Sequence, residues 1–147
     1  MNDEHTEASL LERAKAILLR PREEWPVIEG EAASIASIYK SHVIPLAAIG
    51  PIAAFIHAVV FGNSFFGITH RPSFLSSLSS AVVSYIFTLI GVFLMALVID
   101  FLAPRFGGTA NRNNAFKLAA YSATAAWVAG IFQLVPGLGM LTMLGLY

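Results

Sequence analysis

An aspartate and an arginine stand five residues apart in the stretch VIDFLAPRFGG, residues 98–108, with a proline and two glycines around them. In a tight turn such a pair is an acid and a base within reach of each other. At the end of a helix leaving a bilayer, the same residues mark the passage into water. Other residues pose a similar choice. His57 lies in an apolar run, and an ionisable side chain inside a membrane is a candidate for proton transfer. Ser76, Ser80, Ser84 and Thr88 recur every four residues, which places four hydroxyls on one helical face. Lys117 stands near the start of a later apolar run.

Catalytic readings need further groups at defined spacing, and the chain supplies none. It has no HExxH and no GxSxG. The stretch GLGMLTMLG, residues 137–145, contains Gly-x-Gly but lacks the third glycine of a dinucleotide site. The FGG of residues 106–108 is not followed by the Lys-Ser/Thr of a phosphate loop. Cysteine is absent, which excludes disulfides and thiolate metal sites. A serine nucleophile inside the membrane would have His57 alone as its base. No catalytic, cofactor-binding or metal-ligating residue is assigned, and the chain is expected to be no enzyme.

The elements that must position these residues follow from composition. The 147 residues are 56% hydrophobic and 12% charged, with a mean hydropathy of +0.70. Soluble domains carry roughly 25% charged residues, and so short a chain cannot hide this much apolar surface in a water-soluble core. The net charge is zero, which gives no reason to expect a nucleic-acid partner. Eight of the nine acidic residues fall between Asp3 and Glu31, and the ninth is Asp100. A charged N-terminal segment therefore precedes nearly uncharged apolar blocks. The first thirty residues lack the continuous apolar core of a secretory signal.

The expected architecture is an all-α, polytopic transmembrane helix bundle. Residues 1–42 form a cytoplasmic segment, with an amphipathic helix over 8–19 whose apolar stripe is Leu10, Leu11, Ala14, Ile17 and Leu18. Pro21 stops that helix. Trp25, between Pro21 and Pro26, is expected in an extended or turn conformation at the headgroup level. Residues 43–147 form the membrane domain, with full spans over 43–61, 81–102 and 115–135 and a partial one over 138–147. A kink is expected near Pro51. The second apolar run extends over 74–102, longer than the ~20 residues a bilayer needs, and its serine-rich start lies in the interface. Residues 62–73 and 103–114 read as loops, and Pro136 opens a tight turn. The last segment is too short to cross, so the chain is expected to be a fragment.

Small residues at four-residue spacing let helices approach closely in lipid. Gly50, Ala54 and Ala58 form one such stripe, the Ser76 to Thr88 face a second, and Ser122, Ala126 and Gly130 a third. His57 is expected to project beside the first stripe, toward the bundle interior. Asp100 marks the membrane exit of the second span, an Asp100–Arg105 ion pair is open to it, and Lys117 can snorkel to the interface. Trp25, Arg105 and Lys117 are the candidate interaction residues; His57, Ser84, Thr88 and Asp100 are the candidate intramembrane polar ones.

The order of several short patterns carries a resemblance. Pro21-x-x-x-Trp25, the Ile44-Pro45 opening, FLAPRFGG, NAFKLAAYSATAAWVAGIF and LVPGLG together resemble bacterial members of the Yip1 family. The resemblance covers roughly residues 11–147 and is most specific over 102–139. It implies a five-helix membrane bundle with a cytoplasmic N-terminus. Eukaryotic members act in vesicle trafficking and bind Rab GTPases, but their DLYGP-type motif is absent here, so Rab binding is not carried over. The expected role is a membrane scaffold or adaptor acting through helix packing and its cytoplasmic face. The alternative is a small transporter or channel component using His57 and the Ser76, Ser80, Ser84 and Thr88 face. Expected partners are the lipid bilayer of a bacterial inner membrane and other membrane proteins or further copies of the chain.

Orientation can be read from basic residues, which concentrate on the cytoplasmic side. Five precede the first span, Arg71 alone lies in the first loop, and Arg105, Arg112 and Lys117 surround the second. The N-terminus and the second loop should therefore be inside and the first loop outside. Because the chain has no native cysteine, single cysteines at Asn63 and Asn111 report this directly. A membrane-impermeant maleimide should label Asn63→Cys from outside and Asn111→Cys only after permeabilisation; labelling of both from one side contradicts the arrangement.

Overall fold

Prolines and capping side chains set the helix boundaries in the computed structural model, which describes residues 3–65 and 68–138. Helix α1, Asp3–Leu19, ends two residues before Pro21, at the residue the sequence predicts. The expected extended segment around Trp25 is instead a helix, α2, Pro21–Gly30. Pro21 occupies its first turn, where a missing N–H costs nothing, and Glu23 and Glu24 face the positive end of the dipole. Pro26 is carried inside the helix.

The first long apolar helix, α3, runs over Ile35–Val60 and so begins before the uncharged stretch that opens at Val43. Ser34 caps it, its hydroxyl accepting from the Ser37 N–H at 3.1 Å. Tyr39–Val43 form a π turn, closed by the Ile44 N–H on the Tyr39 carbonyl. Pro45 explains this widening, since its ring has no N–H for Ser41 and crowds that carbonyl. The expected disturbance near Pro51 is a break at Ala48, after which the helix resumes as Ile49–Val60. The following loop contains a small antiparallel pair, β1 Asn63–Phe65 and β2 Ile68–His70, where no regular structure was expected.

Helix α4, Phe74–Leu102, has the bounds of the second apolar run and continues as a 3₁₀ turn over Ala103–Phe106. Gly107 then turns the chain at φ +82°, a left-handed conformation that glycine adopts without strain. Helix α5, Arg112–Leu134, is capped by Asn111 and ends in a 3₁₀ turn over Gly130–Leu134. Among the described residues, helices α3, α4 and α5 are long and apolar enough to cross a membrane. Phe87, Leu94, Met95 and Phe101 of α4 are exposed, which suits lipid and not water. Beyond Leu138, the expected fourth segment lies outside the described residues.

The chain divides into two compact units, residues 1–45 with 90–125 and residues 46–89 with 126–147. In the first unit, Phe116 is fully buried and its ring meets Tyr39 at 5.3 Å and Phe93 at 5.7 Å. Ile28, Ile38 and Val43 complete that core. In the second unit, two of the small-residue stripes meet. A Cβ on Gly130 would sit 2.9 Å from the Gly50 Cα, so the two backbones touch. Replacing Gly130 by Ala must push the helices apart, and overpacking of this kind costs about 1–3 kcal/mol. Gly91 faces open space. Thermal unfolding in detergent should show a lowered midpoint for Gly130→Ala and none for Gly91→Ala; equal midpoints would contradict the close approach.

Candidate functional site

Lys117 is the residue on which the first unit converges. It lies on the second turn of α5, is 4% exposed, and shares a helical face with Tyr121 and Thr124. Its ammonium donates to the Glu29 carbonyl at 3.0 Å and the Glu31 carbonyl at 2.6 Å. Glu29 belongs to the last turn of α2, whose carbonyls have no partner within the helix. Lys117 thus caps α2 from 86 and 88 residues away. In place of the snorkelling expected of it, the side chain is buried and its ammonium donates to main-chain oxygens.

Arg13 makes a second tie. Its guanidinium donates to the Glu24 carboxylate at 2.5 Å and also to that of Glu31, while lying 6.0 Å from the centre of the Tyr121 ring. Burial alone would lower the Arg13 pKa, but the hydrogen bond and charge of Glu31, with the charge of Glu24, raise it. Below these groups, His42 Nε2 meets the Thr124 hydroxyl at 2.8 Å, with the Tyr121 ring 4.5 Å from the imidazole. His42 and Thr124 are both buried. Arg13, Glu31 and His42 are the polar residues that sequence reasoning missed. The available signal was the spacing of Lys117, Tyr121 and Thr124, which puts a polar stripe on an otherwise apolar helix.

Trp25 and Lys117 come together, and Arg105 does not join them. A groove of about 460 Å³ is lined by Arg22, Trp25, Ile28, Asn114, Lys117 and Leu118 among others. Arg105 is exposed and stacks over the Phe101 ring at 4.3 Å. The ion pair left open to Asp100 forms with Arg112 at 3.7 Å, because Arg105 is drawn onto that aromatic face.

Of the intramembrane polar residues, Asp100 belongs to the first unit, and His57, Ser84 and Thr88 fall in the second and separate there. Ser76, Ser77, Ser80 and Ser84 line a cavity of about 330 Å³ with Pro51, Ala54 and Ala58. His57 does not line it. Its ring lies 5.5 Å from that of Phe61, and its buried Nδ1 has no hydrogen-bond partner among the described residues. Thr88 also lies outside the cavity and donates to the Ser84 carbonyl at 2.9 Å, satisfying itself within its own helix. Among the described residues, no histidine and carboxylate group gathers in a way that could hold a metal ion.

This arrangement has known relatives in sequence. The inner membrane protein YohC of Escherichia coli K12 is 31% identical over 126 residues, covering 85% of this chain and 65% of that protein. YohC of the E. coli O6:H1 strain CFT073 matches to the same extent. The chain thus spans slightly less than two thirds of the length of these relatives. No solved structure matches it significantly. The Yip1 domain model matches residues 15–147, which include Lys117, Tyr121 and the three long apolar helices. The chain therefore belongs to the Yip1 domain family of integral membrane proteins.

Proposed function

We propose that the protein is a non-enzymatic scaffold or adaptor of a bacterial inner membrane, acting through helix packing and a cytoplasmic face built by α1 and α2. One observation carries this reading. Arg13 ties α1 to α2 and Lys117 ties α2 to α5, yet Leu11, Leu18, Leu19 and Val27 stay exposed on the tied segment. Ala14 and Ile17 use the buried edge of the same apolar stripe. A segment held in place that still displays large apolar side chains suits a surface for another protein or a second copy of the chain. Arg13, Glu24 and Glu31 are engaged in holding the segment, which suits a structural role better than a chemical one.

A second reading, a small transporter or channel component, draws support from the serine-lined cavity and from the buried Ser77 hydroxyl, which has no partner among the described residues. With His57 outside that cavity, such a path would rest on hydroxyls alone.

Photo-crosslinking residues at Leu11 and Leu19 separate the two. The scaffold reading expects discrete protein adducts in native membranes, reduced about tenfold by Trp25→Ala if that ring anchors the face. Absence of adducts from correctly inserted protein, together with solute flux into proteoliposomes that Ser80→Leu abolishes, would contradict it in favour of transport.

A further inference from the structure

We propose that the groove between α2 and α5 seats the phosphate of an anionic phospholipid, with Lys117 and Arg22 as its cationic walls and Trp25 against the glycerol and upper chain. The groove is the one described above, and the proposal concerns the same face as the scaffold reading but a different ligand.

The charge of Lys117 is the starting point. Its ammonium is buried and bonded to two neutral carbonyls, and among the described residues no carboxylate lies within ion-pair distance of it. Burying a cation is costly unless an opposite charge accompanies it. Two of its three N–H donors are used, which leaves one for an anion. Arg22 lines the same groove and is likewise outside every ion pair among the described residues. The Asn114 amide borders the groove too, and the indole of Trp25 supplies a ring suited to the headgroup level. Glu29 is the single acidic lining residue; its side chain belongs to an exposed residue.

Position selects a lipid over a free anion. Helix α5 begins at Arg112, so Lys117 stands five residues, about 7.5 Å, along it at the edge of the span. Ile28 and Leu118 add apolar wall beside the cations, which a free phosphate would not use and an acylated one would.

The test uses the full chain in nanodiscs. Trp127→Phe leaves Trp25 as the remaining tryptophan. Its fluorescence is quenched by brominated phosphatidylglycerol or, at equal mole fraction, by brominated phosphatidylcholine. Each basic residue near the surface favours an anionic lipid about fivefold, so quenching should report an enrichment of about that size or more. Arg22→Gln, which breaks no ion pair among the described residues, should reduce the enrichment about fivefold. Equal quenching by the two lipids, or an enrichment indifferent to Arg22→Gln, would overturn the proposal. Loss of the enrichment on adding inorganic phosphate, but not sodium chloride of the same ionic strength, would show a free-anion site and overturn the lipid assignment. Crosslinking from Leu11 and Leu19 is read separately, so failure here leaves the scaffold reading standing, and the reverse.

Discussion

A buried lysine that bonds to main-chain carbonyls imposes more on its surroundings than a surface ion pair does. Lys117 cannot release the Glu29 and Glu31 carbonyls to water without exposing both them and its own charge. Hydrogen bonds to a charged group contribute about 1.5–3 kcal/mol, whereas an exposed ion pair contributes about 0–1. The end of α2 is therefore held where α5 places it. Arg13 extends the constraint to α1 through Glu24 and Glu31, and Glu31 serves both ties, one through its carboxylate and one through its carbonyl. The N-terminal helices belong to the same compact unit as the first half of α5 for this reason.

Much of the membrane architecture was legible because it is local. The apolar run over Phe74–Leu102 has no charge before Asp100 and no proline, and the helix follows it from end to end. Pro104 was read as ending that helix, which passes into a 3₁₀ turn over Ala103–Phe106 before Gly107 turns the chain. Gly50 and Gly130 were read as packing positions from spacing alone, and their backbones do meet. Trp25 was misread because two flanking prolines suggest extended chain, although a proline in the first turn of a helix is favourable.

The polar site was less legible because its partners are distant in sequence. Arg13 finds Glu24 and Glu31, His42 finds Thr124, and Lys117 finds α2 across most of the chain. Nothing in the surroundings of Lys117 distinguishes a lysine that snorkels from one that caps another helix. His57 was singled out by residue type alone; its ring lies near that of Phe61, and it is not among the residues that line the serine cavity. In this fold the ionisable groups near the membrane edge hold backbone and one another in place, and the hydroxyls of α4 serve its own helix or line a cavity.

The central claim, that Lys117 fixes the N-terminal helices to the membrane domain, is tested most directly by hydrogen–deuterium exchange on Lys117→Met. Methionine keeps much of the stem's apolar volume and removes the charge and the donors. Amides of Pro21–Gly30 should exchange about tenfold faster or more than in the parent chain, following the loss of charged hydrogen bonds, while those of Phe74–Leu102 stay unchanged. Unchanged exchange over Pro21–Gly30 in a variant that still folds would contradict the account.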